Sequence, residues 1–409
     1  MPSRLLPPAG PARALAAAQL VNALGDGAFL VTSALYFSRV VGLPPTRIGL
    51  GLTLAWAVGA LAGVPLGQLA DRRGPRTVAV LLAAATGVSV GSFLFVRGFL
   101  PFVLAACCYA TAQTGLAAAR QALLAALVAR RDRTHVLAHL QSTLNAGLAV
   151  GAAVGGIALH YGTRAAYLAV FAMDAVAFLL CALVLLRLPE VGPTAAPAAP
   201  GRGPRFTVLR DRPYALVTLL NTLLLLRMPL ISLAIPLWTV TRTDAPGWLV
   251  SALLVLNTGA VMLFQVRTAA GVRDLPSAVR TVARGGALML ASCAVFALSA
   301  VDAPVWGAVA ALLVAGGLQV AGEMMQSAGA WQIGFDLAPA DRQGQYQGFF
   351  GMGVPLARML GPLLLTALVV DWGTPGWLLL GALFLGAGLA LGPAVRWAER
   401  ANSALVSVG

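Results

Sequence analysis

Long apolar segments separated by short polar ones repeat along the whole chain. A helix needs about 20 predominantly apolar residues to cross the hydrocarbon core of a bilayer, and twelve segments meet this requirement. None has the alternation of apolar and polar positions, over about ten residues, that is typical of an outer-membrane barrel strand. The pattern predicts an all-α membrane protein with twelve transmembrane helices. The predicted helices 1 to 12 are residues 14–38, 46–70, 77–97, 100–129, 136–160, 164–187, 213–240, 246–269, 280–301, 304–335, 343–370 and 374–396.

The middle of the chain divides these helices into two groups of six. Residues 189–212 contain five prolines, which disfavour a regular helix or sheet, so we expect a flexible or extended cytoplasmic linker there. Residues 1–188 are then an N-terminal six-helix half and residues 213–409 a C-terminal one. An Asp-Arg pair follows a long helix in both halves, at Asp132 and Asp341. This weak repeat predicts two pseudo-symmetric bundles.

Composition and charge support a membrane protein and restrict its function. Of 409 residues, 59% are hydrophobic and 10% are charged, whereas a soluble domain has about 25% charged residues. The net charge is +14 and every basic residue is arginine. Without lysine the chain cannot contain a P-loop, whose lysine contacts the nucleotide phosphates. The arginines lie mostly in short loops, so membrane orientation explains them better than nucleic-acid binding.

The distribution of arginine predicts the orientation. If the N-terminus is cytoplasmic, the cytoplasmic segments contain twenty arginines and the outer loops contain five. Cytoplasmic loops of membrane proteins are enriched in Lys and Arg. We therefore expect both termini to be cytoplasmic, in a multi-pass protein of the plasma or inner membrane. We also expect it to be a monomer.

A turn rich in charge and glycine connects predicted helices 2 and 3. It contains Gly67, Asp71, Arg72, Gly74 and Arg76 in the sequence GQLADRRGPR. This sequence resembles the signature loop G-x-x-x-D-R-x-G-x-R of the major facilitator superfamily, and it matches every signature position. In that family the aspartate faces the start of helix 11 and helps to hold the two halves together. The resemblance thus implies a conformational latch. A carboxylate near a helix N-terminus is stabilising by about 0.3–1 kcal/mol.

The resemblance also implies an alternating-access transporter, not an enzyme, with no cofactor. In the family, helices 1, 4, 7 and 10 line a central cavity. This sequence places one ionisable residue on each of these helices: Asp26, Arg120, Arg227 and Glu323. Ionisable residues within transmembrane helices usually mark substrate or proton pathways. The full set of candidate pathway residues is Asn22, Asp26, Gln113, Arg120, Asn221, Arg227, Gln319, Glu323, Gln326 and Arg358.

Simpler interpretations exist for two of these residues. Asp26 would be a packing residue if neighbouring helices satisfied its hydrogen bonds. Arg120 would extend to the membrane surface if its helix ended early. For Asp174, on predicted helix 6, the family pattern favours a structural hydrogen-bonding role. His135 and His139 lie four residues apart without a third ligand nearby, so we expect no metal site.

Predicted helix 5 carries Gly147, Gly151, Gly155 and Gly156, with a four-residue spacing typical of close helix packing. The segment also resembles the G-x-x-x-G-P-x-x-G-G motif of the family's drug–proton antiporters, with Ala152 in place of the proline. A second departure is Ala126, where family members often carry an acid. Packing alone explains the glycines equally well.

These features predict a secondary transporter that exports a small amphipathic molecule in exchange for protons. Its partners would be the substrate, protons and membrane lipid, with no nucleic acid. Two alternatives remain open: a nutrient symporter or uniporter, and, more remotely, a membrane-embedded enzyme. The three histidines of the chain fit no pattern that such an enzyme would need.

Overall fold

A computed structural model describes residues 10–193, 206–243, 245–300 and 305–408. The described residues form helices and no strand, and twelve of the helices are long and apolar enough to cross a membrane. The predicted fold class is therefore confirmed. The helices are α1 Pro11–Val40, α2 Thr46–Arg73, α3 Pro75–Phe95, α4 Phe99–Leu127, α5 Arg130–Tyr161, α6 Arg164–Leu186, α7 Arg212–Thr239, α8 Trp248–Ala270, α9 Leu275–Leu298, α10 Val305–Leu337, α11 Ala340–Val369 and α12 Thr374–Ala401.

Three of the twelve helices contain a π-helical segment. The α-helical hydrogen-bonding pattern gives way to a π-helical one at Tyr36–Val40 in α1, at Leu230–Ala234 in α7 and at Thr366–Asp371 at the end of α11. In α11, a turn at Met352 also separates the helical segments Gln343–Gly351 and Gly353–Leu365. Short π-helical segments are rare, and they often occur at functional sites.

Local sequence signals explain where several helices begin. Asp274 accepts a hydrogen bond from the backbone N–H of Ser277, and the Ser277 hydroxyl in turn accepts one from the backbone N–H of Asp274. This reciprocal pair is a capping box and starts α9. The hydrogen bonds from Ser277 also lower the pKa of the exposed Asp274 carboxyl. Asp211 caps α7 in a similar way by accepting the N–H of Tyr214.

The helices pack into two compact units. The first contains Met1–Phe206 together with Ala338–Pro355, and the second contains Thr207–Leu337 and Leu356–Gly409. The start of α11 therefore packs with the first six helices. The division of the sequence into halves at the linker 189–212 stays a prediction.

The core of the first unit contains a cluster of aromatic side chains at one end of α1, α3, α4 and α6. Tyr36 is buried, and its hydroxyl donates to the carbonyl of Phe93 at 3.2 Å. Its ring lies 4.6 Å from that of Phe171 between centroids, within the range of favourable aromatic pairs. The aromatic residues in contact here are Phe29, Tyr36, Phe37, Phe93, Phe102, Tyr109, Tyr167 and Phe171.

Glycines on α5 allow α1 to approach it closely. A Cβ atom on Gly151 would collide with the carbonyl oxygen of Leu24, and one on Gly155 would lie 2.9 Å from the carbonyl oxygen of Ala28. A Cβ on Gly156 would meet nothing within 4 Å. Three of the four predicted motif glycines, Gly147, Gly151 and Gly155, thus pack against α1, and Gly156 does not. With Ala152 in place of the motif proline, Arg133–Tyr161 is one continuous α-helix.

Alanine at Gly151 should destabilise the protein, because its methyl group would have to displace the backbone of α1. Overpacking of this kind typically costs about 1–3 kcal/mol. The measurement is the melting temperature of the purified protein in detergent. Gly156→Ala is the matched control on the same helix, and it should melt at or slightly above the wild-type temperature. Equal melting temperatures for the two variants would contradict the close contact.

Candidate functional site

Asp71, at the end of α2, caps the N-terminus of the helical segment that starts at Gln343 in α11. Its Oδ1 accepts the backbone N–H of Gly344 at 2.6 Å, and its Oδ2 accepts that of Gln345 at 2.8 Å. The first N–H groups of a helix have no partner within the helix, and the helix dipole favours a negative charge there. Asp71 is only 2% exposed, so water does not screen this interaction.

Pairs of glycines bring the backbones of α2 and α11 together beside this cap. A Cβ on Gly63 would lie 2.7 Å from the carbonyl oxygen of Gly348, and a Cβ on Gly67 would collide with the carbonyl oxygen of Gly344. The converse collisions occur at Gly344 and Gly348. Gly67 of the signature therefore allows the backbones of α2 and α11 to pack closely. We call Gly63, Gly67, Gly344 and Gly348 the α2–α11 glycine contact.

The remaining signature residues contact other parts of the first unit. Gly74 has a φ of 94°, which favours glycine, and a Cβ there would also lie 2.7 Å from the carbonyl oxygen of Val191. Arg76 donates a hydrogen bond to the carbonyl of Leu186 at the end of α6. Arg72 is exposed and pairs with none of the described residues. The signature loop thus forms hydrogen bonds to the start of α11 through Asp71 and to the end of α6 through Arg76.

A polar cluster in the first unit contains Asn22 and Asp26 of α1 and Arg120 of α4. Asn22 donates to Oδ2 of Asp26 at 2.7 Å, and Asp26 is half-buried. Arg120 donates to Oε1 of Gln19, which connects α4 to the same helix. Gln113, also on α4, donates to the hydroxyl of Tyr109 at 3.1 Å. The structure therefore places Arg120 beside α1, within the helix bundle.

Asp174 on α6 adds a second carboxyl group to this cluster. The residue is fully buried, and neither carboxyl oxygen has a hydrogen-bond partner. The structural hydrogen-bonding role predicted for Asp174 is therefore wrong. Gly25 of α1 packs directly on this residue, since a Cβ there would lie 2.9 Å from the Cα of Asp174. Asp26, the next residue of α1, is close enough to act on Asp174 electrostatically.

The second unit contains a matching polar cluster around Glu323 of α10. Oε2 of Glu323 accepts from Nδ2 of Asn257 at 3.0 Å and from Nε2 of Gln319 at 3.2 Å. Arg227 of α7 is 7% exposed, donates to the hydroxyl of Ser327 at 2.6 Å and lies within electrostatic range of Glu323. The candidate residues Arg227, Gln319 and Glu323 are therefore brought together.

Sequence reasoning missed Asn257 and Ser327, which complete this cluster. An Asn in the middle of the apolar helix α8 is the signal that could have identified the first. Among the other candidates, Gln326 is 1% exposed, and neither polar atom of its amide has a hydrogen-bond partner. Asn221 is buried, whereas Arg358 is exposed.

The two clusters share a composition that suits reversible binding of a proton or an organic ion. Each has a half-buried carboxyl group that accepts from carboxamide N–H groups, and each has an arginine in the same unit. Within the described part of the chain, no group of three or more His, Cys, Asp or Glu residues is arranged to hold a metal ion.

Comparison with known proteins establishes the class to which this architecture belongs. The family model of the Major Facilitator Superfamily matches residues 15–362. The chain belongs to this superfamily, and it is accordingly a multi-pass membrane transporter rather than an enzyme. No curated protein sequence matches the chain.

Solved structures of transporters share its fold at low sequence identity. A bacterial homologue of the iron transporter ferroportin, in an outward-facing state, has a TM-score of 0.74 at 15% identity, over 97% of this chain and 100% of that one. The human organic anion transporter MFSD10 (TETRAN) has a TM-score of 0.69 at 16% identity, over 93% and 98%. A variant of the E. coli fucose:proton symporter FucP has a TM-score of 0.69 at 12% identity, over 95% and 98%. Identities this low show the fold alone.

Asp71→Asn should loosen the start of α11. The amide has one acceptor oxygen, so a backbone N–H of Gly344 or Gln345 would face a donor instead of an acceptor. An unsatisfied buried polar group costs about 1–3 kcal/mol. We expect a lower melting temperature and faster hydrogen–deuterium exchange in a peptide that covers residues 343–351. Arg72→Gln, at the exposed neighbour, should change neither quantity. Unaltered exchange in Asp71→Asn would contradict the capping role.

Proposed function

We propose that the protein exports a small amphipathic molecule in exchange for protons. It would act as a monomer in the cell membrane, with both termini cytoplasmic. The observation that carries the proposal is the arrangement around Asp26 and Glu323. Each carboxyl group is half-buried on a helix of its own unit, and each accepts hydrogen bonds from carboxamide side chains.

Proton binding and substrate binding compete in the proposed mechanism. A proton from outside binds the carboxylate of Asp26 or Glu323 and neutralises it. A substrate held by that charge then loses its partner and leaves. The proton departs on the cytoplasmic side, and the restored carboxylate binds the next substrate molecule.

Efflux, as the direction of transport, rests on the glycines of α5. Their resemblance to the motif of drug–proton antiporters, with Ala152 in place of the proline, favours export. The second candidate function is proton-coupled uptake. It is supported by the E. coli structural neighbour, a fucose:proton symporter of the same fold. In uptake the proton and the substrate would move in the same direction, whereas in export they would move in opposite directions.

The test is proton flux in proteoliposomes that contain a pH-sensitive dye. A panel of organic cations, zwitterions and anions is added to the wild type, to Asp26→Asn and to Glu323→Gln. We expect at least one compound to drive proton movement opposite to its own, and at least one of the two variants to abolish that movement. Asp341→Asn is the matched control, because Asp341 is exposed and forms an ion pair with the adjacent Arg342 at 3.2 Å.

Each result of the flux measurement has a distinct meaning. Proton and substrate movement in the same direction would replace export by uptake. Substrate transport with no proton movement in the wild type would contradict proton coupling. Coupling that both Asp26→Asn and Glu323→Gln retain would remove these two carboxyl groups from the mechanism.

A further inference from the structure

Asp174 is an ionisable residue that the mechanism above does not use. It lies in the middle of α6, it is fully buried, and both of its carboxyl oxygens are without a hydrogen-bond donor. An ionised carboxylate in such surroundings would cost many kcal/mol, and proteins avoid this by neutralising the group. A carboxyl group that also lacks an ion-pair partner is best accommodated with a proton bound.

The charged group that faces Asp174 is another carboxyl group. Asp26 of α1 acts on it electrostatically. Arg120 of α4 acts instead on Cys181, which lies two turns further along the same face of α6.

Apart from tyrosines, the other ionisable groups on the helices packed against α6 lie towards the ends of those helices. Because Asp174 is in the middle of α6, none of them offers it a partner of opposite charge. These residues are Arg13 and Arg39 on α1, Arg76 on α3, and Arg130, Arg131, Asp132, Arg133, His135, His139 and His160 on α5.

The position of Gly25 makes the proximity of the two acids possible. The backbone of α1 approaches Asp174 so closely that a Cβ atom on Gly25 would collide with the Asp174 carboxyl group. Since Asp26 follows Gly25 directly, the close approach brings its backbone to Asp174 as well. Two carboxyl groups close enough to repel one another do not both ionise readily, and the fully buried Asp174 is the one that retains a proton.

We propose that Asp26 and Asp174 form a carboxyl pair that stores one proton. Asp174 holds the proton while Asp26 is ionised. In this state the pair carries a charge of −1. A second proton, taken up from outside, neutralises the pair.

The role of this carboxyl pair in transport rests on the proposed function, proton-coupled export. Asp26 is half-buried and Asp174 is fully buried, so Asp26 is the group that exchanges protons with water. Asp174 then acts as a positioning residue that keeps a proton next to Asp26. Its own proton occupancy can be measured without substrate and without transport.

Infrared spectroscopy tests the pair directly. The protein is labelled with ¹³C-aspartate, which separates the aspartic acid carbonyl band from that of glutamic acid, and spectra are recorded in H₂O and D₂O at neutral pH. We expect one protonated aspartic acid band that shifts in D₂O. The band should be lost in Asp174→Asn. In Asp26→Asn it should persist but change frequency, because its charged neighbour has been removed. Asp341→Asn, at an exposed aspartate, should leave the band unchanged.

The Asp26→Asn spectrum tests the pair even if Asp174→Asn does not fold. Absence of the band from the wild type would show that Asp174 is ionised and would overturn the proposal. A band of unchanged frequency in Asp26→Asn would show that the two groups do not interact, and would overturn it equally. Neither result depends on proton flux, so a failure of proton-coupled export would leave the infrared result standing, and the reverse also holds.

Discussion

A hydrocarbon interior provides no hydrogen-bond partner, and the rest of the structure depends on this constraint. The backbone is satisfied within helices, because lipid-exposed irregular chain is not tolerated at that depth. Each polar side chain inside the bundle must therefore find a partner in the protein. Asn22 with Asp26, and Asn257 with Glu323, satisfy this requirement. The amide of Gln326 and the carboxyl group of Asp174 have no such partner. Of these two groups only the carboxyl group can be neutralised by a proton, and for that reason Asp174 points to function rather than to packing.

Close packing of backbones creates both of the arrangements to which we assign a function. Between α2 and α11, paired glycines bring Asp71 within hydrogen-bonding distance of the N–H groups that it caps. Between α1 and α6, Gly25 brings Asp26 towards Asp174. In lipid, helices gain little from burying apolar surface against one another, so small residues that permit intimate contact stabilise their association. The same residues that hold the bundle together thus position its charges.

The sequence predicted the twelve helices correctly because hydrocarbon thickness determines their length and apolar character. The signature loop was also recognisable, since its residues are contiguous. The partners of Glu323 were only partly predictable. Gln319 lies one helical turn away and was found, whereas Asn257 comes from another helix and depends on tertiary packing. The π-helical turn at Tyr36–Val40 and the missing donor at Asp174 have no local sequence signal either.

Gly25 and Asp174 also constrain one another as the sequence diverges. Any side chain at position 25 would occupy space that the Asp174 carboxyl group fills. A homologue that acquired alanine at position 25 would need a smaller residue at position 174, and it would lose the buried acid in the same step. It would also need a small displacement of α6, because the new Cβ would lie 2.9 Å from the Cα of residue 174. The two positions should consequently covary among relatives. Relatives with serine or alanine at both positions would lack this buried acid and the proton that we assign to it.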